Sequence, residues 1–178
     1  MQKNGDEMRK SKIGALVLSV LAGALAMPSP ASAASVQSFR SVGLGLGNYV
    51  YLTTAGLNQP VGLYPGSSTW MMTWTVENKG TVNGHSMVKL VDDENRCLDS
   101  NGSGVGGHPY VRACNAGDYQ LWEVFHPADH SGWVVFKSRG AFTKQGGKHL
   151  CIHSGTSSVN DNVTLQTCNT NAAYQQWA

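Results

Sequence analysis

The sequence predicts an all-β domain made of three repeated four-stranded units, two of them stapled by disulfides. Three observations predict this. Apolar runs are short and broken by Gly, Asn, Asp, Ser and Pro, and the 178 residues include 21 Gly and no long segment of helical period. All four cysteines lie in the second half as two equally spaced pairs, Cys97 with Cys114 and Cys151 with Cys168. A tryptophan closes each unit at Trp74, Trp122 and Trp177, and repetition at a near-constant period outranks any single motif as fold information.

The chain opens on a basic patch (Arg9, Lys10, Lys12), an apolar run from Ile13 to Met27, and Pro28 and Pro30 before Ala31-Ser32-Ala33. That order reads as a secretory signal peptide over residues 1–33. The run falls short of the ~20 residues that span a bilayer, so no membrane span is expected. Either Met1 or Met8 can be the start, since Asp6 and Glu7 are unusual ahead of such a run. Residues 34–178 are then one domain, with repeats at about 36–83, 84–131 and 132–178. Without the leader the chain holds nine basic and nine acidic residues. A neutral domain carries no electrostatic footprint for nucleic acid or an anionic membrane.

An even cysteine count in an exported chain reads as disulfides. Four cysteines allow three pairings, and the equal spacing favours Cys97–Cys114 and Cys151–Cys168. The middle repeat supplies strands at 87–91, 96–98, 110–113 and 121–125, and three such repeats give twelve. Cys97-Leu98-Asp99 then Tyr110 to Cys114 then Gln120-Leu121-Trp122 run parallel to Cys151-Ile152-His153 then Thr164 to Cys168 then Gln175-Gln176-Trp177. The first copy is degraded. Tyr49-Val50-Tyr51-Leu52 takes the first position, Tyr64 the second cysteine's place, and Met72-Thr73-Trp74 the place of Gln-x-Trp. The run from Trp133 to Phe136 reads as a core strand, and residues 139–148 as a longer, glycine-rich loop.

Cysteine-bounded repeats ending in Gln-x-Trp resemble the ricin-type β-trefoil lectin family, over nearly all of the chain from about Val36. The resemblance implies a six-stranded barrel capped by three hairpins, with Trp74, Trp122 and Trp177 in the core. It also implies one shallow sugar pocket per repeat. Each pocket uses an Asp after the first cysteine, an aromatic ring two residues before the second, and an Asn and the Gln near the closing motif. In the middle repeat these positions hold Asp99, Arg112, Tyr119 and Gln120, with Tyr110 on the same strand face as Arg112. Arg112 can bond hydroxyls or an acidic sugar. The third repeat offers His153, Gln166, Tyr174 and Gln175 as weaker candidates, with Asp161 nearby. In the first repeat Tyr51 falls at the Asp position and Gly62 at the ring position, amid Tyr49, Tyr64 and Trp70.

Other chemistries lack their residues. There is no Gly-x-Ser-x-Gly elbow and no His-Glu-x-x-His. The glycine-rich segment 101–107 lacks the Gly-Lys-Ser/Thr ending of a phosphate loop. His149-x-Cys151-x-His153 would align three ligands on a strand, but a disulfide removes Cys151. Asp92-Asp93-Glu94 reads as an exposed turn. Asn101-Gly102-Ser103 and Asn162-Val163-Thr164 match the glycosylation acceptor sequence. The expected product is a secreted, extracellular, non-catalytic glycan-binding module without cofactor or metal. The alternative is a protein-interaction or delivery subunit of a secreted toxin-like complex. A protease-inhibiting loop at 139–148, with Arg139, Lys144 and Lys148 as bait, is a third reading.

Overall fold

The computed structural model describes residues 34–66, 72–155 and 162–178; the expected leader, Trp70 and Asp161 lie outside these. Eleven strands are present there: β1 Ser35–Gln37, β2 Val50–Thr53, β3 Gly62–Pro65, β4 Trp74–Val82, β5 His85–Val91, β6 Arg96–Asp99, β7 Tyr110–Ala113, β8 Trp122–Phe125, β9 Val135–Ser138, β10 Leu150–His153 and β11 Thr164–Thr167. Among the described residues one short α-helix, α1 Arg139–Lys144, follows β9.

β1, β4, β5, β8 and β9 hydrogen-bond in that order as barrel staves. The sixth stave is the chain end, reduced to bridges of Trp177 with Ser41 and with Val134. Reciprocal backbone bonds join Arg40 to Ala178 and Val134 to Trp177, and Val42 N–H donates to Gln176 O. These close the barrel, so no edge is left open at this seam. β2–β3, β6–β7 and β10–β11 are the three antiparallel hairpins. Six staves capped by three hairpins make a β-trefoil.

Trp74, Trp122 and Trp177 are fully buried, packed with Leu52, Leu98 and Ile152 of the hairpins. Trp74 Nε1 donates to Leu52 O at 3.1 Å and Trp122 Nε1 to Leu98 O at 3.0 Å. Trp177 Nε1 is buried without a partner among the described residues. The disulfides are Cys97–Cys114 and Cys151–Cys168.

The hairpin register corrects the reading of the first repeat by two residues. Cys97 faces Arg112, Cys151 faces Gln166, and Tyr51 faces Tyr64. Tyr51 therefore holds the first cysteine's place, Thr53 the Asp place, Tyr64 the ring place and Gly66 the second cysteine's place. A Cβ on Gly66 would lie 2.7 Å from the Tyr51 ring. The ring lies against the residue that, in the other two repeats, would complete the disulfide.

Three other expectations change. Segment 139–148 begins as a helix, capped by Ser138 Oγ accepting from Ala141 N–H, with Ala141 buried; it is not a protruding loop. Asp92 is 3% exposed rather than on the surface. Its carboxylate accepts from the backbone N–H of Glu94 and Arg96 and pairs with the Arg96 guanidinium at 2.7–2.8 Å, so it organises the turn. Trp133 precedes β9 and is half-buried, stacked on His130 at 3.7 Å, outside the core.

Candidate functional site

The middle hairpin brings its polar residues to one end. Asp99 closes β6 and faces Tyr110, the first residue of β7. The chain then turns through Asn101 at φ 54° and Gly102 at φ 59°. Asn tolerates this left-handed conformation better than most side chains, and Gly does so freely. Asp99 is 5% exposed. Its Oδ1 accepts from Asn101 N–H at 2.6 Å and its Oδ2 from Gln120 Nε2 at 3.1 Å. Gln120 is fully buried; it also donates to Ala113 O at 3.0 Å and accepts from Asn115 N–H at 2.8 Å. Asp99 and Gln120 thus hold the turn and the loop after Cys114 from beneath, and neither spends its polar atoms on the surface.

Gln175 repeats this role, donating to Thr167 O and accepting from Asn169 N–H. His153 stands where Asp99 does. Its Nδ1 accepts from Gly155 N–H at 2.9 Å, which makes the same two-residue turn without a carboxylate. Desolvation lowers the His153 pKa, in keeping with a neutral acceptor. Among the described residues the Gln166 side chain bonds Thr164 of its own strand.

Arg112 lies across the surface of the middle hairpin. Its Nη2 donates to Asn101 Oδ1 at 2.7 Å, and Cζ sits 5.5 Å from the Tyr110 ring centroid. Its Nε is buried and without a partner among the described residues. Tyr110, Arg112 and Asn101 therefore form one face: a ring, a planar donor fork and an amide.

Tyr119 borders that face differently. A Cβ on Gly140 would collide with the Tyr119 ring, and one on Gly102 would reach it at 3.0 Å. The ring wedges the middle repeat against α1 while remaining partly exposed. Tyr174 does the same over Gly43. Both residues also brace by backbone, Tyr119 O accepting from Ser100 and Tyr174 O from Ser154. Lys144 of α1 brings its Nζ beside Gly102.

The sequence marks Asn101 only as a glycosylation acceptor and Lys144 only as bait in the 139–148 segment, neither as part of this site. Asn101 carried a signal, an Asn-Gly pair directly after the strand. Lys144 carried none, because α1 reaches the site from the next repeat. In the first repeat Tyr64 stands at the ring position, 48% exposed, and Thr53 at the Asp position is buried, its hydroxyl donating to Gly62 O. Among the described residues no helix is long and apolar enough to cross a membrane, and no three His, Cys, Asp or Glu converge as a metal site.

A three-repeat barrel with polar hairpin ends defines a trefoil binding domain. The family model of the ricin-type beta-trefoil lectin domain matches residues 86–178, and the chain belongs to this carbohydrate-binding family. No curated protein matches the sequence. Among solved structures it is similar to a designed three-fold symmetric protein, ThreeFoil, at TM-score 0.64 and 21% identity, covering 80% of this chain and 95% of that one. It is similar to the Haemophilus ducreyi cytolethal distending toxin at TM-score 0.57 and 19% identity, covering 85% and 84%. It is also similar to the Polyporus squamosus lectin, at TM-score 0.64 and 14% identity, covering 83% of this chain and 49% of that one. At these identities the likeness is one of fold.

Proposed function

We propose that the protein is an exported, non-catalytic lectin whose principal site is the middle hairpin. The observation that carries this reading is the face of Tyr110, Arg112 and Asn101, assembled over a buried Asp99–Gln120 support. A pyranose has a C–H-rich face and an edge of directional hydroxyls. The Tyr110 ring suits the first, and the Arg112 fork and Asn101 amide suit the second. Tyr119 and Lys144 stand at the rim. The Polyporus squamosus lectin, about half of whose chain this fold covers, was solved bound to a human-type influenza-binding epitope, which is in keeping with a glycan ligand here. The leader over residues 1–33 and the two disulfides favour export. The test is a glycan array with the exported protein and with Arg112→Ala. Binding lost or weakened in the variant supports the site, and no bound glycan removes it.

A second reading has its own observation. Tyr49, Leu57 and Tyr64 of the first repeat are each about half exposed. Exposed apolar side chains on one repeat suit a protein partner, and the fold is shared with cytolethal distending toxin chains. Recovery of a stable partner from native culture medium, lost on Tyr64→Ser, tests it.

A further inference from the structure

A small cleft of about 100 Å³ opens between the second and third repeats and shares no residue with the hairpin face. Its floor is Glu123 of β8, 5% exposed. Glu123 pairs with Lys137 across β8–β9. Glu123 Oε1 accepts from Lys137 Nζ at 3.0 Å and lies 3.1 Å from His85 Nδ1. The same register at β4–β5 holds Thr75 opposite Val91, so the barrel does not require a charged pair there. A buried ion pair is also a weak stabiliser, because desolvation offsets most of its attraction.

One wall is a layered stack. Arg139 Cζ lies 5.5 Å from the Phe142 ring centroid, and the His149 ring 4.5 Å from it at 30°. Desolvation lowers the His149 pKa, which favours a neutral stacking ring near pH 7. Lys137 is matched by Glu123, whereas Arg139 has no carboxylate partner among the described residues. Lys148 adds a charge in the adjoining groove, which also borders Lys137 and His149. The cleft therefore offers an aromatic wall, an unpaired guanidinium and a carboxylate acceptor at its floor.

We propose that this cleft is a second saccharide site, separate from the hairpin face, that takes an acidic sugar. The carboxylate of a uronate-type pyranose meets Arg139 in a two-pronged contact. Its apolar face lies on the His149–Phe142 stack, and a hydroxyl donates to Glu123 Oε2. The inference rests on the lectin reading only for the saccharide nature of the ligand.

The test is an amide NMR titration of the exported protein at low salt with tri-galacturonate, and with neutral galactotriose as the control. The expected result is shifts at Arg139, Phe142 and His149 with the acidic trimer alone. Arg139→Gln and the exposed-site variant His149→Ala each weaken this binding by about tenfold or more, while Arg112→Ala leaves it unchanged. Equal binding of galactotriose in the cleft overturns the acidic specificity. Shifts gathered at Asn101 and Arg112, unaltered affinity in His149→Ala, or the same shifts with sodium sulfate overturn the site. Failure of the hairpin site shows instead in the array with Arg112→Ala, so the two outcomes are distinguishable.

Discussion

Replacing each closing tryptophan by phenylalanine separates packing from hydrogen bonding. All three rings are fully buried, so Trp→Phe leaves a similar void in each repeat. In the first two repeats it also removes the Nε1 donor to Leu52 O or Leu98 O, leaving a buried carbonyl unpaired. That loss costs about 1–3 kcal/mol beyond the void. In the third repeat Trp177 Nε1 has no partner among the described residues, so phenylalanine there removes a buried orphan donor instead. Trp177→Phe is therefore expected to be the mildest of the three, by ~1–3 kcal/mol. Urea unfolding followed by far-UV circular dichroism reads the difference. At a slope of about 2 kcal/mol/M, the midpoint of Trp177→Phe lies roughly 0.5–1.5 M above those of Trp74→Phe and Trp122→Phe. Equal midpoints, or a lowest midpoint for Trp177→Phe, refute the reasoning.

Four further outcomes follow from the geometry. Tyr51→Cys with Gly66→Cys is expected to form a third disulfide on air oxidation, read as the loss of two hydrogen masses in the intact protein; two persistent thiols contradict the corrected register. Gly140→Ala drives a Cβ into Tyr119 and is expected to cost about 1–3 kcal/mol in thermal or urea unfolding. Removing either disulfide by double Cys→Ser is expected to cost about 3 kcal/mol, similar for both because each spans 17 residues, measured by urea midpoints. His149 and His153 have folded pKa values below the ordinary 6.5 because of desolvation. The unfolded chain then binds protons first as pH falls, so Tm is expected to drop from below pH 6.5 until both are protonated in the folded state too. His149→Gln with His153→Gln should flatten that limb in a Tm–pH series.

The fold was legible because its marks are periodic. Two cysteine pairs and the Gln-x-Trp endings fixed the second and third repeats almost to the residue, since a disulfide locks hairpin register. The first repeat lacks cysteines and was read two residues out of step. The count back from tryptophan carried the answer: Tyr64 precedes Trp74 by ten residues, as Arg112 precedes Trp122. The site was legible in composition but not in depth. Asp99 and Gln120 were visible as polar residues in the right places, but burial of their polar atoms depends on how the turn at Asn101 folds over them. Lys144 and the cleft under Arg139 depend on contacts between repeats, which no local pattern encodes.

The central claim is that the middle hairpin face binds glycan through Arg112 and Tyr110. Its most direct measurement is the affinity of the best array glycan for the exported protein and for Arg112→Ala, with near-ultraviolet circular dichroism confirming an unchanged core. Asp99 is unsuitable for this purpose, because its removal also frees the turn and Gln120. Arg112→Ala is expected to lose about tenfold or more in affinity, with the core spectrum intact. Undiminished affinity with an intact core contradicts the claim.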